Sequence, residues 1–229
     1  MIDNKRVVAL LPMKAHSARV PRKNFRNFAG KPLFRWILDS LLAMEEVDEV
    51  IINTDAREVL EKEGLVEQPR LRLRDRRPEI CGDDVSMNLV LADDVAHVEA
   101  DIYLMTHTTN PLLGSATMSA ALSAFKAALD SGAHDSLFTV NRVQTRFYRE
   151  DVSPVNHDPG NLIPTQNLEP WFEENSNLYL FTAESFASTG ARIGSKPMMF
   201  PTPKLESCDI DTPEDWDLGE VIATWASRR

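Results

Sequence analysis

The chain has 229 residues, 43% of them apolar and 26% charged, and a net charge of −10; these are the proportions of one globular domain rather than of a disordered or fibrous chain. No run approaches the roughly 18 apolar residues of a membrane span, the five apolar residues from Val7 to Leu11 are too few for a signal-peptide core, and the acidic total opposes non-specific binding to nucleic acid. Cys81 and Cys208 lack C-x-x-C spacing, so neither a zinc site nor a disulfide framework is expected, and the cytoplasm is the expected compartment.

Short apolar runs alternate with helical periodicities along the chain, the pattern of an α/β layered domain. Residues 7–12 read as a buried strand that stops at Pro12. Pro32 suits the first turn of a helix whose apolar residues Leu33, Trp36, Ile37, Leu41 and Leu42 recur at helical spacing. Val47–Thr54 is a second strand, and Ala56–Glu63 a short helix ended by Gly64. Residues 70–77 alternate with period two and predict an edge strand or extended arm. Ser86 caps a helix reaching to about Val98, Asp101–Thr106 is a buried strand, Ser115–Leu129 a helix of small residues, and Ser136–Val143 a further strand.

From Gln144 to about Pro170 the rhythm is lost among five Pro and Gly residues, which marks a functional loop or an interface arm. Asn177–Thr182 resumes a strand, Ala183–Ser188 a short helix and Met198–Phe200 a last strand. Thr212-Pro213-Glu214-Asp215 opens a final helix, with Trp216, Ile222 and Trp225 as its core face.

Charge is unevenly spread. Nine Lys or Arg and no acid lie between Asn4 and Leu38, which leaves the other 194 residues with −19. The basic loop that follows the first strand offers Lys14, Ser17, Arg19, Arg22, Lys23 and Asn24 to an anion. It lacks the glycines of a Walker A loop or a dinucleotide fingerprint, yet lysines and backbone N–H groups are sufficient to hold a triphosphate. Far down the chain, Asp209 and Asp211 project together if that stretch is extended, a donor pair suited to Mg²⁺ with phosphate oxygens completing its shell. Two surface acids beside a helix start would leave the same sequence. Taken together, the basic loop and the acid pair describe nucleotidyl or phosphoryl transfer. His97, His134 and His157 read as surface residues, while His16 and His107 both fall in strand-end loops, where a dyad is open.

The run from Leu11 to Asn24, followed by Ala29-Gly30-Lys31-Pro32-Leu33, resembles the signature of the acylneuraminate cytidylyltransferases, the CMP-sialic acid synthetases and their relatives. Asn53-Thr54-Asp55, Arg77-Pro78, Thr109-Asn110-Pro111-Leu112, Asn175 to Tyr179 and Asp209-Ile210-Asp211-Thr212 follow in the family's order. The resemblance implies a Rossmann-like nucleotidyltransferase fold, three-layer α/β/α with a mostly parallel mixed sheet. It implies a single domain over 1–229, with 144–175 as a dimerisation and sugar-binding arm.

The implied activity is Mg²⁺-dependent transfer of CMP from CTP to the anomeric hydroxyl of a nonulosonic acid, with release of pyrophosphate, in a homodimer. Carried over by residue, Lys23, Lys14, Arg19 and Asp211 are catalytic. Lys14, Ser17, Lys23, Asn24, Arg77 and Ser86 bind the nucleotide, and Asp209 with Asp211 holds the metal. His107, Asn110, Arg146, Gln166 and Asn175 fall to the sugar. The sequence departs from the family's pattern at several of these places: Lys14 stands for Arg, His16 for Gly, Ala18 for Lys, His107 for Gln, Pro164-Thr165 for Arg-Arg and Ser176 for Gly. Another sugar nucleotidyltransferase, a glycosyltransferase and a non-catalytic nucleotide-binding homologue are the rival readings.

Overall fold

A strand that is apolar on both faces must be sandwiched between layers, and the first strand is of that kind. In the computed structural model, which describes residues 5–17 and 19–226, β1 (Val7–Leu10) has all four side chains fully buried. Ala18, the substitute for a family lysine, lies outside the described residues. After the basic loop comes a two-residue hairpin, β2 (Asn27–Phe28) and β3 (Lys31–Pro32), whose turn residues Ala29 and Gly30 both have positive φ.

The chain continues through α1 (Leu33–Leu42), β4 (Glu49–Thr54), α2 (Arg57–Lys62), β5 (Leu71–Asp75), α3 (Met87–His97), β6 (Ile102–Thr106), α4 (Ser115–Asp130), β7 (Ser136–Val143), β8 (Trp171–Phe181), α5 (Ala183–Thr189), β9 (Pro197–Pro201) and α6 (Pro213–Ala226). The seven long strands form one sheet in the order β5-β4-β1-β6-β8-β7-β9. All run parallel except β8, which is antiparallel to both of its neighbours. β5 is an edge strand, as its alternating sequence predicts.

Alternate residues of β1 face two cores. Val7 and Ala9 pack with Ile37 of α1, Leu60 of α2 and Phe125 of α4. Val8 and Leu10 pack on the other side with Leu91 of α3 and Phe186 of α5. The result is three layers, α/β/α. A third cluster joins Val20 of the basic loop and Phe28 of the hairpin to Ile210, Trp216 and Ala223 near the other end of the chain. The Phe28 and Trp216 rings meet edge-on with centroids 5.2 Å apart. Gly219 lets α6 come this close, since a Cβ there would sit 2.7 Å from Ile210 Cδ1.

The structure corrects two sequence expectations. β8 begins at Trp171, not Asn177. Residues 171–174 are exposed and pair only with the outer half of β7, so no buried face marks them in the sequence. In α6, Trp225 is 45% exposed, and Gly219 and Ala223 take the core position beside Trp216. Between the two halves of β8 the register against β7 shifts, and there Ser176 adopts φ 56°. Bulges of this kind re-aim side chains beside active sites, and the family's glycine at this position is the residue that tolerates such a φ. The 144–170 segment is irregular apart from a bridge between Tyr148 and Pro154 and a 3-10 turn at Thr165–Asn167, and Phe147 stacks on Trp171 at 5.1 Å.

Candidate active site

Strand order reverses at β1, which has β4 on one side and β6 on the other. In an open α/β sheet, ligands bind at such a switch point, beyond the carboxyl ends of the strands. A cleft of about 390 Å³ lies there, lined by the loop after β1, the loop after β6 and Asp211.

The loop after β1 is held from three sides. Met13 N–H donates to Asn53 O at 2.9 Å, which continues the β1–β4 pairing by one step, and Ala15 N–H donates to the Asp55 carboxylate at 2.7 Å. Asn24 fixes its far end: its amide donates to Lys14 O at 2.8 Å, and its carbonyl accepts from the Thr108 hydroxyl at 2.7 Å. Asn24 is 7% exposed and thereby staples the loop to the end of β6.

Asp211 arrives from the opposite end of the sequence. Ile210 N–H donates to Thr109 O at 2.8 Å. Thr212 and Asp215 then cap the start of α6 reciprocally: Thr212 N–H donates to Asp215 Oδ2 at 2.8 Å, and Asp215 N–H to Thr212 Oγ1 at 3.2 Å. With both flanks fixed, Asp211 faces the basic loop. Lys23 Nζ donates to Ile210 O at 2.6 Å and to Asp211 Oδ1 at 3.2 Å, while Arg19 Nη2 lies 3.0 Å from Asp211 Oδ2. Lys14 Nζ donates to Asp83 at 2.8 Å, a bond that holds the exposed Asp83 carboxyl below its usual range. Each of these three cations therefore faces a carboxylate inside the cleft.

Asp209 stands beside Asp211 without lining the cleft. Burial pushes its carboxyl up, Asp211 adds to this, and the Thr109 hydroxyl opposes it. Its Oδ1 is buried with no hydrogen-bond partner, an orphaned hard oxygen of the type a divalent cation satisfies. Among the described residues no cluster of three or more His, Cys, Asp or Glu exists. The pair thus fits Mg²⁺ of the kind that takes one or two carboxylates and leaves its other positions to phosphate and water.

Sequence-predicted residues divide into two sets. Lys14, Ser17, Arg19, Lys23, Asn24, His107 and Asp211 line one cleft. Ser86 caps α3, accepting from Asn88 N–H at 3.3 Å, next to the cleft residue Met87. Arg77 turns outward, 3.7 Å from Asp93 and 3.6 Å from Glu79. Asn110 is fully buried and donates to Asn177 at 2.8 Å, while Asn175 reaches Thr202 at 2.7 Å, so both brace the loops behind the cleft. Arg146 and Gln166 lie on the arm, where Arg146 donates to Ile163 O at 2.6 Å and Gln166 O accepts from Gln144 at 3.2 Å. His16 and His107 both line the cleft, but the partner of His107 is Arg192 rather than His16.

Three contributors escaped the sequence reading. Arg76, not its neighbour Arg77, enters the cleft, with its guanidinium 2.9 Å from both Asn53 Oδ1 and Asn53 O. Behind it the Asn53 amide donates to Asp94 at 2.8 Å, and burial pushes the Asp94 carboxyl up to about 6. Asp83 supplies the acid at the rim. Arg192, from the segment after α5, places Nη1 3.3 Å from His107 Nε2. Burial first, then the Arg192 charge, pushes the His107 pKa down to about 3.

No helix among the described residues is long and apolar enough to cross a membrane. Comparison with known proteins gives a consistent result. The family model described as Cytidylyltransferase matches residues 8–199. A CMP-N,N'-diacetyllegionaminic acid synthase of Legionella pneumophila is 25% identical over 237 residues, covering 95% of this chain and 96% of that protein. A 3-deoxy-manno-octulosonate cytidylyltransferase of Acidobacterium capsulatum is 31% identical over 120 residues, and the match spans 52% of this chain but under half, 46%, of that protein. The fold superimposes on a CMP:2-keto-3-deoxy-manno-octonic acid synthetase solved with CTP, with a TM-score of 0.65, 17% identity, and coverage of 98% of this chain and 100% of that one.

Proposed function

The chain belongs to the cytidylyltransferase family, and from that premise we propose that it transfers CMP from CTP to the anomeric hydroxyl of an acidic ulosonic sugar, releasing pyrophosphate. The observation that carries this reading is the convergence of Lys23 and Arg19 on Asp211 in the switch-point cleft. Cations that hold a triphosphate and a carboxylate that holds its metal need to be within reach of each other. The names of the relatives narrow the acceptor to a sugar acid, and the nonulosonic kind is the one favoured by the family signature of the basic loop.

In the proposed reaction the sugar hydroxyl attacks the α-phosphorus in line, its proton passes to solvent, and the bond to the pyrophosphate oxygen breaks. Lys14, Arg19 and Lys23 exchange their carboxylate partners for phosphate oxygens and balance the charge that grows on the leaving group. Asp209 and Asp211 would hold Mg²⁺, which lowers the pKa of a hydroxyl it binds and screens the phosphates. Asn24, with Arg76 in the cleft and Ser86 beside its lining residue Met87, serves the cytosine side, and His107 serves the sugar side. The arm at 144–175, with Arg146 and Gln166, would reach a second subunit in a homodimer, and the enzyme would work in the cytoplasm.

The test is pyrophosphate release from CTP, with ATP, GTP and UTP as controls, against a panel of 3-deoxy-2-ulosonic acids of eight and nine carbons. Release with CTP and one class of sugar acid is expected. CTP binding without consumption of any sugar on the panel would overturn the catalytic reading in favour of a nucleotide-binding homologue.

A further inference from the structure

His107 and Arg192 form a pair whose chemistry is set by geometry. A guanidinium has only N–H donors and keeps its proton at any working pH. Its Nη1 lies 3.3 Å from His107 Nε2, so that nitrogen must be the acceptor, and the ring proton of the neutral imidazole must reside on Nδ1. Arg192 is itself firmly held. Its Cζ lies 3.7 Å above the centre of the Tyr179 ring, Nη2 donates to the Tyr179 hydroxyl at 2.9 Å, and Glu174 stands 3.6 Å away. The side chain is 19% exposed and does not line the cleft. His107 does line the cleft, and none of the described residues engages its Nδ1.

The arm carries Pro164 and Thr165 where the resemblance implies two arginines, so those two positions offer the acceptor's carboxylate no cation. The geometry points to Arg192 as a positioning residue that locks His107 in the Nδ1–H tautomer, so that a neutral imidazole, polarised from behind by a cation, donates a hydrogen bond to the carboxylate of the acceptor sugar. A hydrogen bond polarised in this way is charge-assisted without placing a mobile cation in the cleft. The groups that bear on the ring are burial, Arg192 and Lys23, which oppose its protonation, and Asp211, which favours it. The first three prevail, so the donor persists across the neutral range.

The inference rests on the proposed acceptor, but part of its test does not. Full-length protein labelled with ¹⁵N-histidine, with His107→Gln to assign the signal, reports the tautomer by long-range ¹H–¹⁵N correlation without any substrate. An Nδ1–H pattern that does not titrate between about pH 5 and 8 is expected, and Arg192→Ala should give a mixture of the two neutral tautomers, because burial, the larger cause, still opposes protonation of the ring. In turnover, Arg192→Ala should raise KM for the sugar acid about tenfold while the CTP dissociation constant holds, and Arg192→Lys should recover part of the loss. An Nε2–H or cationic ring in the native protein, or a tautomer unchanged in Arg192→Ala, overturns the assignment. So does an unchanged sugar KM in that variant. If no sugar acid is consumed, the acceptor reading fails, while an Nδ1–H tautomer that depends on Arg192 still supports the lock.

Discussion

Lys23 Nζ and Asp211 Oδ1 lie 3.2 Å apart although 188 positions separate them in the chain. Neither residue is brought there by its own interaction. Lys23 follows from the turn after the basic loop, and Asp211 from the capping of α6 and the packing of Ile210 against Phe28 and Trp216. An ion pair with one partner 37% exposed contributes little to stability, so the two residues are held together by the fold that carries them.

Asp211→Asn removes a proposed metal ligand and leaves the fold intact. Turnover should fall by about 10²–10³ and lose its response to Mg²⁺, while Lys23 and Arg19, freed of their acid, keep or improve affinity for metal-free CTP. Titrating Mg²⁺ against pyrophosphate release checks this; full activity with an unaltered Mg²⁺ curve would remove Asp211 from the metal site.

Acid should weaken the protein through His107. Its native pKa is about 3 against about 6.5 for an unfolded histidine. The unfolded chain therefore binds a proton that the native state refuses, and stability present above pH 6.5 is lost as pH falls toward 3. At pH 5 the loss from this one group is about 2 kcal/mol. Urea unfolding at pH 7.5 and pH 5 should show a smaller acid loss in His107→Gln than in the native protein, by about that amount.

Ser176 should be improvable. An L-residue at φ 56° carries a penalty of about 1–2 kcal/mol, and glycine returns about 0.5–1 kcal/mol of that as extra freedom in the unfolded chain. Ser176→Gly is expected to raise stability by about 0.5–1 kcal/mol, seen as a higher urea midpoint with an unchanged slope. A lower midpoint would mean that the serine hydroxyl, 3.4 Å from the Tyr179 hydroxyl, outweighs the backbone cost.

Gly219→Ala tests the joint between α6 and the cleft. The new methyl would lie 2.7 Å from Ile210 Cδ1 and 3.0 Å from Phe28 Cζ, an overpacking that costs about 1–3 kcal/mol. Because Ile210 O accepts from Lys23, turnover should drop together with the melting temperature. A variant that melts lower but turns over normally would show that Ile210 can shift without disturbing Lys23.

How much of this the sequence discloses depends on whether a residue's partner is local. β1, β4 and β6 are legible because parallel strands buried on both faces are apolar throughout. The caps at Ser86 and Thr212 are legible because their signals span three residues. The outer half of β8 is not, since it gains only one neighbouring strand and buries neither face. Arg77 stands out over Arg76 in the sequence because Arg77-Pro78 matches the Arg-Pro of the resemblance, and which one turns inward is decided by Asn53, the penultimate residue of β4 and 23 positions from Arg76. Arg192 has no local signature at all: its partner is a histidine 85 positions earlier. The basic loop and Asp211 are legible because each keeps its character without the other.

The long span between Lys23 and Asp211 also has a meaning in time. A ribosome that adds about 5–20 residues each second needs roughly ten to forty seconds to travel the 188 positions between them. Throughout that interval the emerging chain displays a cationic loop without the carboxylate that later answers it, close to a machine made of RNA. The chain downstream is acidic in total, though residues 70–77 carry five arginines, so the charge that balances the loop arrives late in synthesis.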